Sequence, residues 1–211
     1  MKKFEKLSEE KRIKIITAAL EEFSTYGYEN ASTNRIVEKA EISKGALFHY
    51  FKSKKGLYLY LIDYIIPIIY DEFYKYADMD IADFFERIKN WQVAKLNLMN
   101  KLALETSFLI KVFTNIPKDV KDEVLLRYAK YTQEGFNMLF ENIDYSVFKD
   151  DIDKNKAIET IIWTLESYGN KYMKENVDSQ GNVIMNKDKL LEDIETYLKI
   201  LKYGITKVPE S

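Results

Sequence analysis

Residues 36–57 read IVEKAEISKGALFHYFKSKKGL. Two short helical patterns flank one tight break. Ile36, Val37 and Ala40 mark one apolar face, and Leu47 and Phe51 stand four apart on the next. Glu41-Ile42-Ser43 lies between them and is too short for a wandering loop. The Ser43 hydroxyl can accept from free backbone N–H groups in the first turn of the second helix. Two helices joined by a turn of three or four residues outline a helix-turn-helix, whose second helix enters the DNA major groove. By spacing alone, an ordinary helical hairpin inside a larger bundle fits equally well.

The charge around this stretch favours the first alternative. Residues 1–55 carry twelve Lys or Arg against eight Asp or Glu, while the remaining 156 residues carry twenty against twenty-six. A basic head therefore precedes an acidic body, with Lys44, Lys52, Lys54 and Lys55 grouped near the short helices. Duplex DNA attracts such a face whatever its sequence, and attraction depends on where charge sits rather than on the whole-chain balance of −2.

The chain has 211 residues, enough for one large domain or two modest ones with a core of their own. Absence of cysteine excludes disulfides, thiolate metal sites and a cysteine nucleophile, and suits a reducing cytoplasm. The charged start MKKFEKLSEEKR is no signal peptide, and no apolar run reaches the length of a membrane span.

Periodicity predicts an all-α chain of about nine helices. The first runs over 8–25 on a stripe of Ile13, Ile16, Leu20 and Phe23, and Gly27 ends it. Short helices over 33–40 and 43–52 follow, then a long one over 54–76 containing Pro67, which should bend it. Helices over 81–102, 104–113 and 119–142 build the middle. The last two run over 154–175, capped by Asp153, and 188–205, separated by a loop.

Ser43, Lys44, Gly45 and Ala46 open the candidate recognition helix, whose early residues reach base edges. Lys44 can donate to guanine O6 or N7. His49 and Tyr50 lie on the exposed side. Lys54 opens the next helix, where its charge and the helix N-terminus can together meet a phosphate.

The segments AALEEFSTYGYENAST and ISKGALFHYFKSKKGL, in that order and spacing, resemble the DNA-binding domain of the TetR family of bacterial transcription repressors, from about Ile13 to Leu61. Beyond Leu61 the likeness is one of helix number and size. The resemblance implies a DNA-binding domain over 1–55 and an effector-binding and dimerisation domain over 56–211. It places Ser32 or Thr33 and Lys54 at phosphate-contacting positions and makes Lys44 to Tyr50 the reading face. Three residues depart from the family pattern. Glu41 replaces a common glycine, which costs about 1 kcal/mol or more if the backbone there is left-handed. Ala46 and Phe48 lack hydroxyls that threonine or serine and tyrosine would carry.

The apolar stripes Ile158, Ile162, Leu165 and Leu191, Ile194, Leu198, Leu201 either close the protomer's own core or pair with their copies across a two-fold axis. The resemblance favours a homodimer that binds a palindromic operator in double-stranded DNA. The body also holds 23 aromatic residues: two Trp, eight Phe and thirteen Tyr. Trp91, Phe108, Tyr128, Tyr131, Trp163 and Tyr168, with Glu166 as a polar point, are candidates to line a cavity for an apolar or amphipathic small molecule. No cofactor or metal is called for. The chain has no glycine-rich phosphate loop, HExxH or nucleophile elbow, and its single histidine cannot make a Glu-x-x-His pair, so an enzyme is disfavoured. The remaining rival is a helical protein–protein adaptor whose head does not read DNA.

Overall fold

A computed structural model describes residues 3–176 and 184–205. Among the described residues it contains nine α-helices: α1 Glu9–Asn30, α2 Thr33–Lys39, α3 Lys44–Phe51, α4 Lys54–Phe73, α5 Phe84–Lys101, α6 Ala103–Thr114, α7 Lys121–Leu139, α8 Lys154–Glu175 and α9 Lys187–Ile205. Two short 3-10 turns, Lys118–Val120 and Tyr145–Val147, precede α7 and lie in the α7–α8 connection. The all-α expectation is met, and the described residues contain no strand.

Side-chain caps set most of the helix starts. Ser43 Oγ accepts from Ala46 N at 3.1 Å, and Ser53 Oγ accepts from Gly56 N at 3.0 Å. Asp153 Oδ1 takes Asn155 N at 3.0 Å and Lys156 N at 3.2 Å. Asp83 Oδ1 accepts from Glu86 N at 2.9 Å, which is why α5 begins at Phe84 rather than at 81. Helix α1 runs past its expected end but is interrupted at Gly27, whose φ of 69° and ψ of 175° suit glycine. Of the expected stripe of α1, Ile16, Leu20 and Phe23 are buried, with Ile15 beside them, whereas Ile13 is 51% exposed. Pro67 lies within α4, which continues to Phe73.

The chain forms two compact units. The first comprises Met1–Lys75 and Asn97–Leu139. Its core joins Ile15, Leu20 and Phe23 of α1, Ile36 of α2, Leu47 and Phe51 of α3, and Leu57, Leu61 and Ile65 of α4. Phe108, Val112, Val120 and Val124 belong to the same core. Polar clamps reinforce it. Lys111 Nζ donates to the carbonyls of Ser24 and Thr25, at 2.8 and 3.0 Å, and so satisfies acceptors near the end of α1. Lys55 Nζ donates to Asp119 O at 3.0 Å and pairs with Glu123. Arg127 grips Asp63 with two parallel bonds of 2.7 Å.

Glu72 closes this unit at the end of α4, accepting from Lys101 at 2.6 Å and Lys75 at 2.9 Å. The bonds from Lys101 and Lys75 hold its carboxyl at about 2, below the ordinary 4.5. A depressed carboxyl contributes stability that is present above its unfolded value and is lost as pH falls toward its folded value. Between pH 4.5 and 2 the native chain should therefore lose stability that Glu72→Gln lacks at every pH. In urea titrations the gap between the two proteins should be widest near neutrality and close toward pH 2; a constant gap would refute the assignment.

The second unit comprises Tyr76–Leu96 and Phe140–Ser211. Phe84 and Phe85 pack on Phe148, with ring centroids 5.3 and 6.2 Å away. Arg87 is 1% exposed and donates to Ile81 O at 2.5 Å and Glu141 O at 2.8 Å. Helices α8 and α9 pack together, burying Ile158, Ile161, Ile194 and Leu198, and Tyr168 Oη donates to Asp193 at 2.6 Å.

Candidate DNA-binding face

The face is built on the short helices α2 and α3. Leu47 and Phe51 turn into the core, which fixes the opposite side of α3 outward. Ser43, Lys44, Gly45 and His49 are exposed there, and Ala46, Phe48 and Tyr50 are half-buried. Lys44 has no ion pair or hydrogen bond among the described residues, so its charge is uncommitted. Tyr50 is seated on Phe4, centroids 5.7 Å apart, and His49 stands edge-on to Tyr50 at 5.7 Å.

The turn between the helices is tight. Ile42 N donates to Val37 O at 3.0 Å, and Glu41 adopts φ 53°. The condition for strain at Glu41 is thus met: a non-glycine residue occupies the left-handed region at a cost of about 1–2 kcal/mol. Its ion pair with Lys14, at 2.5 Å, is exposed and offsets little of this.

Helix α2 is positioned by a group 10 residues before its cap. Glu22, only 7% exposed, accepts Ser32 N at 2.7 Å and Arg35 Nε at 3.0 Å on each oxygen, and also pairs with Arg35 Nη2. Ser32 Oγ in turn caps Arg35 N at 3.5 Å. Glu22 raises the affinity of the Arg35 guanidinium for its proton, and that guanidinium also lies over the Tyr26 ring at 4.2 Å. Ser32 and Thr33 are half-buried at the helix start, held in place by this arrangement.

Lys54 is more committed than its sequence position suggests. Its Nζ donates to Glu29 O at 3.1 Å and Ala31 O at 3.2 Å and lies 4.9 Å from the centre of the Tyr28 ring. An ammonium has three donors, so one remains for a phosphate.

Of the seven residues considered for an effector cavity, three lie in the first unit. Phe108 is 1% exposed in the first unit's core, against Tyr58 at 5.5 Å and Phe23 at 6.4 Å. Tyr128 is 45% exposed beside Phe113, and Tyr131 lies under Tyr70, whose hydroxyl donates to its carbonyl at 2.5 Å. The other four are in the second unit. Trp91 is buried, Tyr168 is held by Asp193, and Trp163 and Glu166 line an open groove on α8 with Ser167, Asn170 and Lys174. The stripes considered for a dimer interface are largely used inside the protomer: Ile158, Ile194 and Leu198 are buried, while Ile162, Leu165, Leu191 and Leu201 are half-buried. The large apolar side chains left outward on α8 and α9 are Trp163, Tyr197, Ile200 and Tyr203.

Sequence reasoning passed over Glu22, Arg35 and Phe4. A carboxylate in the apolar register of α1, between Ala19 and Phe23, was the available signal for Glu22.

Residues 15–61 match the family model of bacterial regulatory proteins, tetR family. Over 58 residues the chain is 38% identical to the HTH-type transcriptional regulator RutR of Escherichia coli K12, covering 28% of this chain and 27% of that protein. Over 49 residues it is 39% identical to the A-factor receptor protein of Streptomyces griseus, covering 23% of this chain and 18% of that protein. The chain thus spans about a quarter or less of the length of these curated relatives. Across nearly its whole length it shares the fold of a TetR family transcriptional regulator from Chloroflexus aurantiacus, with TM-score 0.68, 21% identity and 99% of each chain covered. It shares the fold of the regulator PfmR from Thermus thermophilus as well, with TM-score 0.57, 15% identity, and 92% of this chain and 99% of that one covered.

Proposed function

We propose, from the match of residues 15–61 to the family model of bacterial regulatory proteins, tetR family, that this chain is a transcriptional regulator that binds a palindromic DNA operator as a homodimer and releases it when a small molecule binds its body. Functionally, residues 1–55 form the reading head and 56–211 the effector-binding and dimerisation part. The observation that carries the proposal is the outward start of α3, where Ser43 and Gly45 are exposed on either side of Lys44, whose ammonium has no partner among the described residues. A DNA-reading helix needs free donors at its N-terminal end. Ser32, Thr33 and the third N–H of Lys54 serve the phosphates, while Ala46, His49 and Tyr50 complete the face.

Exposed Trp163, Ile200 and Tyr203, at 63%, 63% and 69%, support association through α8 and α9, together with the half-buried members of their stripes. Light scattering at micromolar concentration that returns one subunit mass would refute the dimer.

The DNA reading is tested by selection from a randomised duplex library, followed by Lys44→Ala. If Lys44 reads guanine, its loss should cost about 1–3 kcal/mol on the selected site and relax the choice at one base pair of each half-site. Binding to a scrambled duplex should change little. Lys54→Ala should instead weaken all duplexes alike and lower the salt dependence. Equal losses on every duplex for Lys44→Ala would remove its base-reading role, and failure of the folded dimer to select any sequence would refute the regulator proposal.

A further inference from the structure

Residues 3–7, ahead of α1, close into a short turn. Leu7 N donates to Phe4 O at 3.1 Å, and residues three apart lie on one side of such a turn. Phe4 and Leu7 form its inward side: Phe4 is fully buried, and Leu7 packs on the same core. Lys3 and Lys6, each just before an anchor, are exposed. Neither forms an ion pair or hydrogen bond among the described residues. With only Glu5 between them, the turn keeps a surplus of positive charge.

Phe4 fixes where that charge sits. Its ring lies against Phe51 and Tyr50 at the end of α3, with centroids 4.8 and 5.7 Å apart, and against Tyr60 of α4 at 5.4 Å. The two lysines are therefore tethered beside the C-terminal end of α3, away from the end where Ser43 and Lys44 stand. Helix α3 has eight residues, so it is about 12 Å long, close to the width of the major groove. A helix of that length seated in the groove has phosphates near both of its ends. The first end offers them free N–H groups. The last end carries unpaired carbonyls and a partial negative charge, which repels them. The nearest cation there, Lys52 at the C-cap, turns its Nζ back to His49 O at 3.4 Å. Lys54 and Lys55 are drawn to carbonyls of other segments.

We propose that Lys3 and Lys6 form a phosphate-binding arm that grips the DNA backbone at the C-terminal end of α3, with Phe4 as the peg that holds it there. The assignment rests on the DNA-reading proposal and adds a contact outside the face described above. An ammonium on a flexible stem is a point charge that follows phosphates without a fixed geometry. Two such groups on a turn outside α3 contribute affinity rather than sequence choice.

The test measures binding of the full-length chain to its selected duplex, to single-base variants and to a scrambled duplex, from about 50 to 200 mM salt. Lys3→Ala/Lys6→Ala should weaken binding to every duplex alike and lower the salt slope by about two per bound head. Across that salt range the native protein's advantage should shrink roughly 10-fold per head. Lys3→Arg/Lys6→Arg keeps both charges and should keep the native slope. Lys154→Ala/Lys156→Ala removes the same charge from exposed positions outside the reading head and should leave the slope unchanged. Thermal melts by circular dichroism should coincide, because the substituted side chains are exposed. An unchanged slope in Lys3→Ala/Lys6→Ala, an equal fall in Lys154→Ala/Lys156→Ala, or a loss confined to particular base pairs would overturn the proposal. The DNA-reading proposal is judged separately. Native protein that binds all duplexes equally refutes sequence selection, yet its salt slope still decides the arm. Native protein that binds no duplex sinks both.

Discussion

Phe4→Ala should lower the free energy of unfolding by about 3–5 kcal/mol. The melting temperature should fall by roughly 10 °C for a chain of this size. Phe4 precedes the first helix and yet is fully buried, with ring centroids 4.8 Å from Phe51, 5.4 Å from Tyr60 and 5.7 Å from Tyr50. Removing it opens a cavity beneath α3 that rigid helices cannot collapse to fill. The effect extends to function, since Tyr50 loses the surface it rests on and α3 loses part of its support. DNA affinity should therefore drop even at temperatures where the variant is folded. Phe4→Leu should recover most of the stability, because it refills much of the volume. Urea unfolding of the three proteins decides the matter, and a loss below about 1 kcal/mol in Phe4→Ala would show that the N-terminal segment adds little.

Phe108→Ala is the second large effect expected, again about 3–5 kcal/mol. The residue is a candidate for effector contact, and the structure places it in the core of the first unit. At 1% exposure, with Tyr58 edge-on at 5.5 Å and Phe23 at 6.4 Å, it is part of the core shared by α1, α4 and α6. The two roles predict opposite results. A pocket-lining ring would cost little stability and much effector affinity. A core ring should cost stability in full, with effector affinity following only through loss of fold. Calorimetric unfolding together with effector titration on the folded fraction separates them.

The contrast between Phe108 and Trp163 marks where sequence reading stops. Both are aromatic and lie on helices with apolar stripes, but one is sealed in a core and the other is 63% exposed. Periodicity assigns a residue to a face; it does not say which neighbour covers that face. Helix starts were much more legible, because a cap is a local event. Ser43 and Asp153 open their helices where expected. The outward side of α3 followed from Leu47 and Phe51 pointing inward, so its exposed Ser43, Lys44 and His49 were legible too. Features made by distant residues were not. Glu22 reaches 13 residues forward to Arg35, and Lys54 turns back 23 and 25 residues to two carbonyls.

The lysine clamps of the first unit share one property. Lys54, Lys55 and Lys111 all donate to main-chain oxygens: those of Glu29 and Ala31, of Asp119, and of Ser24 and Thr25. Every amino acid carries such an oxygen. Over evolutionary drift, the side chains at 24, 25, 29, 31 and 119 are therefore free to change without breaking these clamps, provided the backbone keeps its path. Each lysine would then persist beside partners that vary, and co-variation between aligned sequences would be blind to these joints of the unit.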